Sequence, residues 1–342
     1  MAALVGLLGF VLLVGADAFV LDEPTPRGDD LIYERMAQDP GATHTFPFAF
    51  RVAIPWLVHV LPFSSDFSFS LLAWICSAAA GSLLFATMDA LRVPRPLSVA
   101  LAVLFACAPI LFIASLRQGR NPDPLTGLIM CAGAWSIVRH RPVTLAAVML
   151  VGAFNRESAL FLGPWAYAYW AARPVDLRVL RTVVLATAPA LAAYVTLRLT
   201  IPTVGRELVL GYDSLLGGRR DVIAKGLGEG PANIRRVGYV AGPLWLAFLP
   251  ALRSSRYAQS GLAVLALCLV SATFANDWGR VVFIAAPVVW VGAAVVLCQH
   301  RRLWPATILV LLAMNVSYAV YMNRSGVRSG IIETGDPPYP VR

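Results

Sequence analysis

Residues 139–178 read RHRPVTLAAVMLVGAFNRESALFLGPWAYAYWAARPVDLR, and the fold turns on them. Arg139 and Arg141 precede two apolar arms, 143–154 and 158–172, and Arg173 and Arg178 follow them; Asn155, Arg156, Glu157 and Ser158 join the arms. In a membrane protein, short arginine-rich loops stay on the cytoplasmic side, so this stretch must enter and leave the bilayer by the same face. At 1.5 Å per residue each arm makes roughly 18–22 Å of helix, short of a hydrocarbon core of about 30 Å. The expected structure is a half-depth hairpin with charges at its tip. At that depth charges face protein or a wet cavity.

The same logic extends along the chain. Of 342 residues, 58% are hydrophobic and 14% charged, whereas a soluble protein commonly carries about a quarter charged residues. Apolar segments fall near 2–21, 66–90, 97–116, 125–138, 143–154, 158–172, 182–200, 238–252, 258–275, 281–298 and 303–322. This pattern predicts an all-α integral membrane protein of about eleven transmembrane or half-spanning helices, forming a single transmembrane domain over 1–322 with a polar tail over 323–342. Basic connections (Arg92 and Arg95; Arg139 and Arg141; Arg173, Arg178 and Arg181; Arg253 and Arg256; Arg301 and Arg302) alternate with a second set, 22–65, 117–124, 155–157, 201–237 and 276–280, that holds nearly all the carboxylates. The positive-inside rule then gives a cytoplasmic N-terminus and an extracytoplasmic second set, in a multi-pass protein of the inner (plasma) membrane. Residues 1–20 read as an uncleaved first helix, because no positive region precedes the apolar run.

The formal net charge of +9 comes from short clusters between apolar segments, which argues against a nucleic-acid partner. Cys76, Cys107, Cys131, Cys268 and Cys298 lie in apolar stretches without a CxxC pair and read as small hydrophobes. His44, His59, His140 and His300 are dispersed, and no metal or other cofactor is expected. The single lysine, Lys225, among 28 basic residues suggests a GC-rich bacterial genome.

Four polar groups share the second set of loops: Asp29 and Asp30 before Tyr33; Arg51; Arg156 and Glu157; and Asn276, Asp277 and Arg280. The first loop, 22–65, is too long for a simple connection and predicts an amphipathic helix from about Leu31 to Gln38, with the acidic pair at its N-terminus, and a second from about Phe50 to Val60. Loop 201–237 predicts interfacial helices over the same face. Carboxylates and arginines in one outer cavity fit a reaction with an anionic leaving group.

A long first outer loop that opens Asp29-Asp30-Leu31-Ile32-Tyr33 resembles the polyprenyl-phosphate-dependent GT-C glycosyltransferases, and PFAFRVAIPWL at 47–57 is similar to a segment of bacterial members. The resemblance implies an inverting transferase that moves a sugar from a membrane lipid, a polyprenyl-phosphate sugar, to a glycan, lipid or protein acceptor at the outer face. It makes Asp29 the catalytic base with Asp30 in reserve. It gives the donor phosphate to Arg156 and Arg280, with Arg51 third, and supporting or acceptor-binding roles to Glu157, Asp277, Tyr33 and His44. Many members carry a C-terminal extracytoplasmic domain, for which this sequence leaves no room, so acceptor recognition falls to the loops. The chemistry suits the place: nucleotide sugars stay in the cytoplasm, a carboxylate can take the acceptor proton, and guanidinium binds phosphate bidentately.

Each group also has a structural reading. Asp29 and Asp30 fit a helix N-cap, Arg156 with Glu157 fits an ion pair closing the hairpin, and Asp277 with Arg280 fits a local salt bridge. Arg51 fits a headgroup contact, Tyr33 fits packing, and His44 fits an exposed loop. A transporter or flippase, or a polymerase or ligase of lipid-linked saccharides, would use outer arginines equally well; the former predicts paired broken helices in both halves.

Overall fold

The computed structural model describes residues 1–19, 29–45, 48–109, 111, 120–204, 227–273, 275 and 278–324. Helices dominate. In chain order they are α1 (Ala2–Phe19), α2 (Asp29–Gln38), α3 (Ala53–Val60), α4 (Ser65–Ala90), α5 (Arg95–Ala106), α6 (Asp123–Val138), α7 (Pro142–Ala153), α8 (Leu162–Trp170) and α9 (Leu177–Thr200), then α10 (Gly230–Ala241), α11 (Leu244–Ser254), α12 (Arg256–Ala272), α13 (Trp278–Val282), α14 (Ala286–Leu297) and α15 (Trp304–Arg324). Two-residue strands β1 (His44–Thr45) and β2 (Thr203–Val204) pair in parallel.

Three of the described stretches are long and apolar enough to cross a membrane: Ser65–Ala90, Leu177–Thr200 and Trp278–Leu297. This corrects the expectation of about eleven segments, since six further apolar helices have only 10–17 residues. The reason is local. Prolines at the first positions of α5, α6 and α7 fix where each helix starts, and a 3-10 turn at Glu157–Phe161 shortens the second hairpin arm to the nine residues of α8. The third span, Trp278–Leu297, runs through the middle of the bundle, while Leu177–Thr200 leaves most of its surface exposed. The chain is therefore a helical membrane protein with a protein-wrapped span and a peripheral one.

The basic loops close tightly. After α4, Val93 N–H donates to Met88 O at 3.0 Å with Arg92 at φ 60°; after α6, Arg141 N–H donates to Ser136 O at 2.9 Å with His140 at φ 51°. Both are left-handed C-terminal caps in which a short backbone loop satisfies the last carbonyls. Buried aromatic polar atoms find partners across helices: Trp290 Nε1 donates to Val240 O at 2.9 Å, and Tyr257 Oη to Pro287 O at 3.1 Å. Leaving such groups unpaired in an apolar core costs about 1–3 kcal/mol.

The hairpin forms as α7, the tip, a 3-10 turn and α8. Gly152 lets it close: a Cβ there would lie 2.3 Å from the Cβ of Ala159. The tip is pinned to the first loop, since Ala53 N–H donates to Phe154 O at 3.0 Å. Residues 205–226 and 325–342 lie outside the described residues; of loop 201–237, Thr203–Val204 forms β2 and the last part starts α10.

Candidate functional site

The entry to α6 organises the site. Asn121-Pro122-Asp123-Pro124 starts the helix with proline on either side of Asp123, and Asn121 Oδ1 accepts from Asp123 N–H at 3.0 Å. Such a turn fixes the carboxylate at a helix N-terminus, where exposed N–H groups favour negative charge. Asp123, its side chain only 4% exposed, accepts from Arg156 Nη1 at 2.9 Å through Oδ1 and from Arg280 Nε at 2.5 Å through Oδ2. One buried carboxylate thus holds an arginine from the hairpin tip and another from the start of the third span.

Arg51 enters from the first loop. Its Nη1 donates to Tyr33 Oη at 2.9 Å, and its guanidinium lies 5.4 Å from the centre of the Phe48 ring. Tyr33 is fully buried and stands edge-on to Phe48. Burial works to lower the Arg51 guanidinium, but Tyr33 and Glu157 outweigh it and raise the group above its ordinary value, so Arg51 stays charged. Glu157 is exposed beside the tip and lies within electrostatic reach of Arg51, Arg156 and Arg198. Arg198, near the end of α9, packs its guanidinium 4.6 Å from the Phe50 ring and 4.5 Å from that of Tyr194.

The acidic pair begins α2. Asp30, 7% exposed, is three residues before Tyr33 and seven before Ala37, and all three are buried, so the carboxylate belongs to the helix face that carries Tyr33 to Arg51. The side chain of Asp29 lies outside the described residues, as does Asp277. Arg120, three residues before Asp123, pairs with Glu34 of α2 at 3.4 Å and with Asp66 of α4, tying α2 to the entry of α6.

Of the sequence candidates, Tyr33, Arg51, Arg156, Glu157 and Arg280 come together, with Asp30 on the adjoining helix face. His44 does not join them: its Nε2 bonds Asp39 O at 2.9 Å and it lines a separate cavity of about 140 Å³ with Met36, Trp56 and Ile201. The structural reading of Arg51 as a headgroup contact fails, because the side chain is bonded inside the protein. Among the described residues the ion-pair partner of Arg156 and Arg280 is Asp123, a residue sequence reasoning passed over. Its signal was present: an acid in the first turn of a proline-started helix, in the carboxylate-bearing set of loops.

Four guanidinium groups (Arg51, Arg156, Arg198, Arg280) therefore gather about two described carboxylates, Asp123 and Glu157, with Asp30 on the buried face of α2 that carries Tyr33. Buried atoms without a partner among the described residues include Arg51 Nε, Ser158 Oγ, Asn155 Oδ1 and Trp278 Nε1. Arginines held by protein carboxylates are oriented before a ligand arrives, which is what anion stabilisation requires. No three His, Cys, Asp or Glu side chains among the described residues gather as metal ligands. No protein-family model matches the chain, and a search of curated proteins finds no match.

Proposed function

We propose that the protein is an inverting glycosyltransferase of GT-C type that takes its sugar from a polyprenyl-phosphate donor at the extracytoplasmic face. The observation that carries this reading is one buried carboxylate, Asp123, that holds Arg156 and Arg280, with Arg51, bonded to Tyr33, within its electrostatic reach. The short helices α7 and α8, of 12 and nine residues, are about 18 and 14 Å long and hold the tip below the outer surface as a half-span.

In this reading the acceptor hydroxyl oxygen forms a bond to the anomeric carbon while the bond from that carbon to the phosphate oxygen breaks. The acceptor proton passes to Asp29 or Asp30, and the electron pair leaves with the phosphate. A phosphodiester of charge −1 becomes a phosphomonoester approaching −2, so positive charge stabilises the late state more than the donor, which is the condition for catalysis. Arg51, charged and with an unpartnered buried Nε, faces that change most directly. Arg156 and Arg280 add a field oriented by Asp123.

Native mass spectrometry of the purified protein is expected to find a polyprenyl phosphate, bare or glycosylated, that is lost in Arg51→Ala. A retained lipid without phosphate, or phosphate-lipid occupancy equal in Arg51→Ala, counts against the site.

A further inference from the structure

We propose that Asn155 Oδ1 and Ser158 Oγ, at the hairpin tip, bind a hydroxyl of the donor's sugar and so select it. The inference rests on the transferase reading, and deepens it from the phosphate to the ring.

The orientation of the Asn155 amide is fixed by its neighbours. Pro122 O is an acceptor only, and Asn155 Nδ2 donates to it at 3.1 Å. Thr126 Oγ1 gives its own hydrogen to Pro122 O at 3.1 Å and so accepts from Asn155 Nδ2 at 2.9 Å. Exchanging N and O would set two acceptors against each other, so Oδ1 must face the opposite way. There it is fully buried and has no partner among the described residues. Three residues on, Ser158 Oγ is 3% exposed and likewise unpartnered.

An anionic group alone does not satisfy Asn155 Oδ1, although Ser158 Oγ can donate to one. Asn155 Oδ1 accepts and cannot donate, and an ionised phosphate offers acceptors alone. The neighbouring Arg156 gives Nη1 to Asp123. A ligand that completes the tip therefore carries an O–H or N–H donor close to its anionic group. A sugar on a phosphate has that combination: its ring hydroxyls can donate to Asn155 Oδ1 and accept from Ser158 Oγ. A site built to hydrogen-bond a hydroxyl discriminates strongly against an analogue without it, because its buried groups are then left unpaired.

The test uses purified full-length protein with a short-chain polyprenyl phosphate, bare and carrying each of a panel of sugars and their single-deoxy analogues. With the preferred sugar, one deoxy donor is expected to lose about tenfold or more in kcat/KM. Ser158→Ala is expected to lose a similar factor with the parent donor and little further with that deoxy donor, while binding bare polyprenyl phosphate as the unsubstituted protein does. Equal sensitivity of Ser158→Ala to every deoxy donor, no loss at all, or equal weakening for bare lipid phosphate overturns the assignment. Absence of transfer from every donor would sink the transferase reading itself. The binding arm then decides the tip separately: glycosylated lipid binding no tighter than bare lipid, with Ser158→Ala changing neither, overturns the assignment.

Discussion

Asp123→Asn is expected to lower transfer at least a hundredfold and to destabilise the protein by about 3–5 kcal/mol, the usual cost of stranding a buried charge. The carboxylate is the shared acceptor for Arg156 and Arg280. An amide in its place keeps one acceptor oxygen and presents N–H donors to the second arginine. Both guanidinium groups would lose their orientation, and misplaced charge stabilisation alone costs about 10²–10³ in rate when one oriented donor is removed. A second substitution separates the two effects. Asp123→Asn combined with Arg280→Met removes one stranded charge, so thermal stability in detergent should partly recover while transfer stays low. Recovery of both would make Asp123 a purely structural clasp. Full stability and full transfer in Asp123→Asn would remove it from the site.

The second large effect is expected at the start of α2. Loss of a general base costs about 10²–10⁴-fold, so one of Asp29→Asn and Asp30→Asn should fall by that factor and the other by much less. Asp30 lies on the buried face with Tyr33, so its replacement is also expected to disturb the Tyr33–Arg51 bond and raise the donor KM. Asp29→Asn, if Asp29 is the base, should change kcat alone. Steady-state kinetics with a labelled donor distinguish the two, and unchanged turnover in both variants would remove the acidic pair from the chemistry.

Much of the frame was legible because it depends on local patterns. The 139–178 hairpin followed from two short apolar arms between arginines, and the start of α2 followed from an acidic pair before an amphipathic run. The number of full crossings was not legible in the same way. Hydropathy sums over windows and ignores the prolines that fix helix starts and the 3-10 turn that shortens 158–172 to the nine residues of α8. Asp123 was missed for another reason. Its partners are 33 and 157 residues away in sequence, and no periodicity links positions so far apart. The sequence offered Glu157 as a nearer partner for Arg156, but Arg156 pairs with Asp123, which also holds Arg280; Asp277 lies outside the described residues. His44 lies in the same loop as Arg51 but turns back onto Asp39 through a short local bond, a choice composition could not reveal.

Chemical change at the arginine cluster is distinguishable from movement of an intact lipid past it. The direct measurement places purified protein in liposomes with a polyprenyl-phosphate sugar labelled in the sugar, together with candidate acceptors, and follows both label transfer and the fate of the lipid. Labelled product and free polyprenyl phosphate are expected in equal amounts, both abolished by Arg51→Ala. Label that crosses the bilayer still attached to its lipid, with no new product, would contradict the transferase reading.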